Sequence, residues 1–309
     1  MSEHIGAALE TAQLSRRYGR SWALRDCSFT LPVGRVAALV GPNGAGKTTL
    51  LHLAVGLLSP TNGSVRVFGA EPYEQPRAVL PRIGFVAQDH PLYASFTVAD
   101  MLTFGRKLNP GWNQDLALRR INRLGIALDK RVGKLSGGQK AQIALALALA
   151  KRPGLVLLDE PLASLDPLAR REFLRALTEA VEEDGLTVLL SSHIIGDLER
   201  VCDYLIILSA SQVQLAGEIA DILRTHRILT GPRQAADTLA GRFAVVEQSL
   251  SRSEAELLVR GEPPFDIPGW QAHDASLEVI VLAYLGQSAA SSRSDALAVS
   301  TAEEWEAAR

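Results

Sequence analysis

A compact apolar run, Val36-Ala37-Ala38-Leu39-Val40, passes without a break into Gly41, Pro42, Asn43, Gly44, Ala45, Gly46, Lys47, Thr48 and Thr49. Few features restrict a chain more tightly. The run suits a strand buried on both faces, and the segment after Lys47 suits a helix. Between them the three glycines let the backbone wrap inward, so that its N–H groups and the helix N-terminus converge on one anion. A strand, a glycine-rich loop and a helix with Lys-Thr in register make a cradle for nucleotide phosphates. Lys47 brings an ammonium to the outer phosphates, and the Thr48 hydroxyl suits Mg²⁺.

A second strand end completes the chemistry. Leu155-Val156-Leu157-Leu158 runs into Asp159, Glu160 and Pro161. In an open α/β sheet, ligands bind beyond the carboxyl ends of the strands. Asp159 is placed there to hold Mg²⁺, directly or through water, and Glu160 to polarise the attacking water as general base.

Much of the chain follows the same plan. From Ala8 to Leu223, short β-branched runs alternate with helical stretches, which predicts a mostly parallel sheet. Thr187–Leu190 and Leu205–Leu208 read as further buried strands. Val65–Phe68, bounded by Asn62-Gly63 and Gly69, reads as a hairpin strand of an antiparallel subregion. Val98 to Gly125 is helical with a break at Pro110-Gly111, giving a helical subdomain. After His226 the pattern changes to short strands at Ile228–Pro232, Phe243–Val246 and Glu256–Arg260, then an apolar closing helix at Ser276–Leu285. The expected organisation is an α/β nucleotide-binding domain over 1–225, a small α+β domain over 226–286, and a flexible tail over 287–309.

Leu135, Ser136, Gly137, Gly138 and Gln139 open an Ala/Leu-rich helix that ends at Lys151. A serine and paired glycines at a helix start present backbone donors and a dipole to an anion. This pentapeptide, between the glycine-rich loop and the acidic strand end, resembles the signature of the ABC ATPases. The resemblance spans Ala8 to Leu223 and rests on several motifs in combination. Lys140 stands where many relatives carry arginine, so the charge is kept.

The resemblance implies a P-loop NTPase-type fold and an ATP hydrolase using ATP and Mg²⁺. Tyr18 then stands where the family stacks an aromatic ring on adenine. Gln88 matches the glutamine that reaches Mg²⁺ and the attacking water. Ser164-Leu165-Asp166 matches the loop that crosses the dimer interface, and His193 the histidine that contacts the γ-phosphate. It also implies a head-to-tail homodimer or heterodimer, with Ser136, Gly137 and Gly138 of one subunit closing over the ATP of the other. A separate transmembrane permease would bind near Gln88 to Thr97. The closing helix resembles the tail of ABC-2-type exporter ATPases, which favours export of a drug, antibiotic or peptide. The alternatives are an importer subunit or a soluble ABC ATPase without a transport role.

Composition bounds the rest. The 309 residues exceed one ordinary domain, and 47% hydrophobic content supports a sizeable core. A net charge of -2 offers no basic stripe for nucleic acid. Cys27 and Cys202 have neither metal-ligand nor disulfide spacing, as expected for reduced thiols. The most apolar stretch, Ile143–Ala150, is far too short to span a bilayer. With no secretion signal expected at the N-terminus, the expected location is cytoplasmic, peripheral on the inner face of the cell membrane.

Overall fold

A computed structural model describes residues 6–163, 165–193, 195–196 and 198–287. In chain order the elements are β1 (Ala7–Tyr18), β2 (Ser21–Pro32), β3 (Val36–Val40), α1 (Lys47–Ala54), β4 (Asn62–Val67), α2 (Pro76–Val79) and β5 (Ile83–Val86). There follow α3 (Val98–Leu108), α4 (Gln114–Arg123), α5 (Gly137–Ala150), β6 (Leu155–Leu158), α6 (Pro167–Asp184), β7 (Thr187–Ser192), β8 (Tyr204–Ser209) and β9 (Gln212–Glu218). The chain continues with α7 (Ile219–Thr225), β10 (His226–Pro232), α8 (Ala236–Ala240), β11 (Ala244–Leu250), β12 (Glu254–Arg260) and β13 (Gln271–Asp274). Helix α9 covers 277–287.

The central sheet has the order β5-β6-β7-β3-β8-β9, parallel except for β9. Every residue of β3, β6, β7 and β8 is buried, as expected of strands covered on both faces. The pleat divides their side chains cleanly. Ala37, Leu39, Leu157, Leu189 and Ile206 enter one core; Ala38, Val40, Leu158, Leu190 and Ile207 enter the other. The first core is roofed by α1 and by an antiparallel sheet, β2-β1-β4. The second is filled from α5 and α6, with Phe173 and Leu177 fully buried.

The expected α/β fold is therefore present, with two differences in detail. The strand read at Val65–Phe68 begins at Asn62, and its partner is β1. Asn62-Gly63 is thus no hairpin turn: Gly63 holds φ +72 against the carbonyls of Ala12 and Gln13, where a Cβ would collide. Phe68 turns out of the strand at φ 49. The long β1–β2 hairpin is new. Its register shifts between Ala7 and Leu9 and again between Thr11 and Leu14, which breaks the alternation a sequence pattern relies on.

Helices α3 and α4 build a third core with one face of α5, using Met101, Leu102, Ile121 and Ile143. Thr97 and Asp100 form a capping box on α3, Asn113 caps α4, and Pro110-Gly111 lies in the turn between them. The C-terminal sheet has the order β11-β12-β10-β13. One face holds Leu229, Leu257, Val259 and Phe265 in a core of its own. On the other face, Leu258 and Val246 join the second central core together with Leu277, Ile280 and Val281 of α9. The tail beyond Gln287 lies outside the described residues.

This shared core has a measurable consequence. Ile280 is fully buried, so Ile280→Ala should cost about 2–5 kcal/mol. The loss should lower a single cooperative transition followed by circular dichroism. An unchanged main transition with an early, separate one would mean that the C-terminal unit folds apart.

Candidate functional site

The loop between β3 and α1 is shaped by steric necessity. A Cβ at Gly41 would run into the carbonyl of Leu208, and one at Gly46 into that of Ala23. Gly46 also holds φ 106, a region open to glycine. It stands at the N-cap of α1, which receives no side-chain cap, so the first-turn N–H groups remain directed at the loop's interior.

Lys47 is buried, and its Nζ donates to the carbonyls of Gly41 (2.8 Å) and Pro42 (3.2 Å). The same ammonium lies 3.1 Å from Oε1 of Glu160. Glu160 projects from the end of β6 with its backbone at φ 43, a strained conformation costing about 1–2 kcal/mol. Its N–H donates to Ser191 Oγ (2.8 Å), and that hydroxyl donates to Asp159 Oδ1 (2.9 Å). Nδ1 of His193 lies 2.8 Å from Oε2 of Glu160. The carboxylate is therefore clamped between a lysine at the start of α1 and a histidine just past the end of β7.

Burial pushes the Glu160 carboxyl up, but hydrogen bonds and charge from Lys47 and His193 outweigh it and hold the group below its ordinary value. A carboxyl held low is a poor proton acceptor while the clamp is closed.

A cleft of about 350 Å³ opens over these groups, lined also by Ala23, Asn43, Gly44, Thr48, Thr49 and Gln88. Thr48 and Gln88 line this cleft with oxygens of the kind a hard divalent cation takes, while Asp159, 2% exposed at the end of β6, is not part of the lining. Asp159 Oδ1 accepts from Ser191, and among the described residues Oδ2 takes no hydrogen bond.

The remaining residues read from the sequence lie elsewhere. Ser136 caps α5 in a reciprocal box with Gln139 (3.2 Å each way). Gly137 lines a separate recess with Gln88, Asp89, His90, Lys140 and Ala163. Gly138 packs against Ala169. Asp166 caps α6, accepting from Leu168 N and Ala169 N at 3.0 Å each. Its neighbour Ser164 lies outside the described residues. Tyr18 is exposed at the tip of the β1–β2 hairpin, paired with Ser21 and carrying the Arg16 guanidinium 5.0 Å above its ring. Pro42 and Ala45 are loop scaffold. Sequence reasoning passed over Ser191, whose one signal is its place two residues before His193 on the strand beside β6.

Beyond Gln88 the chain passes through His90, held at φ 44 with Nε2 buried and, among the described residues, unpartnered. His90 also lines an apolar groove of about 360 Å³ formed with Phe85, Leu92, Met101, Phe104 and Trp112.

Comparison with known proteins fits this geometry. The family model for ABC transporters matches residues 24–163. The Nod factor export ATP-binding protein I of Rhizobium johnstonii is 37% identical over 210 residues, covering 66% of this chain and 67% of that protein. The chain belongs to the ABC transporter ATP-binding proteins. Another relative is the sulfate/thiosulfate import ATP-binding protein CysA of Brucella melitensis, 35% identical, covering 68% of this chain and 60% of that protein. Among solved structures, a bacterial ABC transporter cassette in dimeric form aligns with a TM-score of 0.60 and 25% identity, over 68% of this chain and 98% of that one. This ABC subunit is thus an ATP-hydrolysing cassette, and no helix among its described residues is long and apolar enough to cross a membrane.

Because the Glu160 pKa is lowered in the folded state, its stabilisation is present above the ordinary value of 4.5 and is lost as pH falls through the lowered one. Nucleotide-free Glu160→Gln should lose about 1–3 kcal/mol at neutral pH. Denaturant titrations should show that gap closing below pH 4.5. A gap independent of pH would contradict the clamp.

Proposed function

We propose that this subunit is a transport motor in which ATP opens the Lys47–Glu160–His193 clamp. The observation that carries the reading is the double engagement of Glu160, by Lys47 at 3.1 Å and His193 at 2.8 Å. Phosphates in the loop compete for Lys47, and its withdrawal raises the basicity of Glu160 as the attacking water arrives. Glu160 takes the proton of that water, and His193 contacts the γ-phosphate. Thr48, Asp159 and Gln88 would hold Mg²⁺, which would neutralise charge on the phosphates. Asn43, Gly44, Gly46 and Thr49 surround the phosphate chain, and Tyr18 stacks on adenine at the hairpin tip.

Completion of the site falls to a second subunit. Ser136, Gly137, Gly138 and Gln139 lie outside the cleft within one chain, which supports their use in trans across a head-to-tail dimer, with Asp166 at the interface. A site assembled from two chains ties closure to ATP and opening to hydrolysis. The apolar groove beside His90 is the docking surface for a separate permease, which places the subunit on the inner face of the membrane. Export is the favoured direction. The C-terminal unit is an open antiparallel sheet with a closing helix, and a relative that exports Nod factor shares the cassette. The importer relative keeps the opposite direction in view.

Glu160→Gln should lower ATP turnover by roughly 10²–10⁴-fold while leaving ATP binding intact. Turnover at the parental rate would remove Glu160 as the base. Lys47→Ala should weaken ATP binding itself, read by fluorescent-nucleotide titration, and unchanged affinity would refute its phosphate role.

A further inference from the structure

The apolar groove continues into a second recess of different character. This recess, about 760 Å³, lies between the helical segment of α2 with Leu80 and Pro81 and the break at Pro110-Gly111, and it shares Leu108, Asn109 and Lys151 with the groove. Three cations line it, Arg77, Lys151 and Arg152, and among the described residues no carboxylate does. Lys151 is turned inward, its Nζ donating to the carbonyls of Leu80 (3.1 Å) and Ile83 (2.7 Å). Arg77 and Arg152 are exposed, and among the described residues neither pairs with an acid. Some surface arginines pair, as Arg66 does with Glu71 and Arg123 with Glu179, while others such as Arg106 and Arg119 do not among the described residues; Arg77 and Arg152 differ from the latter in lining one recess together. Arg152 also holds φ 53, a conformation disfavoured for any residue with a Cβ.

A groove that is apolar along its length and cationic at one end is complementary to one kind of occupant. We propose that the permease segment seated in the groove carries an aspartate or glutamate next to its apolar face, and that this carboxylate enters the recess and pairs with Arg77 and Arg152. The inference rests on the docking reading above and adds the chemistry of the partner. Apolar contact is non-directional, so it supplies affinity without fixing which way a short helix lies. A guanidinium–carboxylate pair at one end fixes orientation and register, and it penalises segments lacking the acid. An anionic lipid surface would also attract two arginines. The recess, however, is walled by Pro76, Leu80 and Pro110 and opens into an apolar groove. That shape fits one carboxylate on a short stem better than a plane of headgroups.

Zero-length carbodiimide coupling tests this in membranes of the source organism, using the full chain. Arg77→Lys and Arg152→Lys each place a primary amine in the recess, with the parental chain as background. A photo-crosslinking residue at Phe104 reports groove occupancy independently. The expected result is that carbodiimide joins either amine to an Asp or Glu in a cytoplasmic segment of the same multi-spanning protein the groove probe joins. The double change Arg77→Glu/Arg152→Glu should cut recovery of that protein at least about tenfold, with ATP affinity unaltered. If the groove probe captures a membrane protein while neither amine couples and charge reversal leaves recovery unchanged, the acid pairing is wrong and docking stands. If the groove probe captures no membrane protein, the docking reading falls and takes this inference with it. If charge reversal instead abolishes only binding to phosphatidylglycerol vesicles, the recess serves lipid and the proposal is overturned.

Discussion

Parallel pairing of β6, β7 and β3 is the constraint from which the rest of this molecule follows. Val36 lies opposite Val188 and Val40 opposite Ser192, while Leu158 lies opposite Leu190. Because the three strands run the same way and in step, their carboxyl ends finish side by side. The glycine-rich loop, Asp159 with Glu160, and His193 each leave one of those ends. Their meeting therefore needs no long-range adjustment. Burial of the strands on both faces fixes the register, since a slip by one residue would exchange the two cores.

Onto this rigid floor the protein places a residue with a strained backbone. Glu160 sits at φ 43, and the hydrogen bond from its N–H to Ser191 helps hold that conformation. The serine also fixes Asp159, so one hydroxyl orients two neighbouring carboxylates with different roles. A similar left-handed turn at His90 carries the chain from the nucleotide cleft into the apolar groove within two residues of Gln88. Changes at the cleft and at the groove are thus separated by very little chain.

The sequence made some of this legible and hid the rest for physical reasons. Fully buried strands such as β3 and β6 announce themselves as apolar runs, and the loop after β3 is legible because only glycines satisfy its contacts with Leu208 and Ala23. The hairpin of β1 and β2 did not announce itself, because bulges near Gln13 scramble its alternation. Ser191 carried little signal beyond its place two residues before His193, since a serine inside a buried strand is visible chiefly through what it bonds. Tyr18, Ser136 and Asp166 mark the other boundary. Motif resemblance singles them out, yet within one chain they make a hairpin tip and two helix caps.

Helix α9 limits how the C-terminal unit can be exchanged between proteins. Its residues Leu277, Ile280 and Val281 fill the same core as Phe173 and Leu190, although the strands before it close a separate core around Leu257. Sheet β11-β12-β10-β13 is therefore an insert bracketed by α7 and α9, with both brackets anchored in the motor. Relatives that differ in their C-termini cannot trade them as beads on a string. A graft cut at His226 would strip apolar lining from the ATPase itself, whereas an exchange of the sheet alone, joined once after α7 and once before α9, would leave both anchors with their own host.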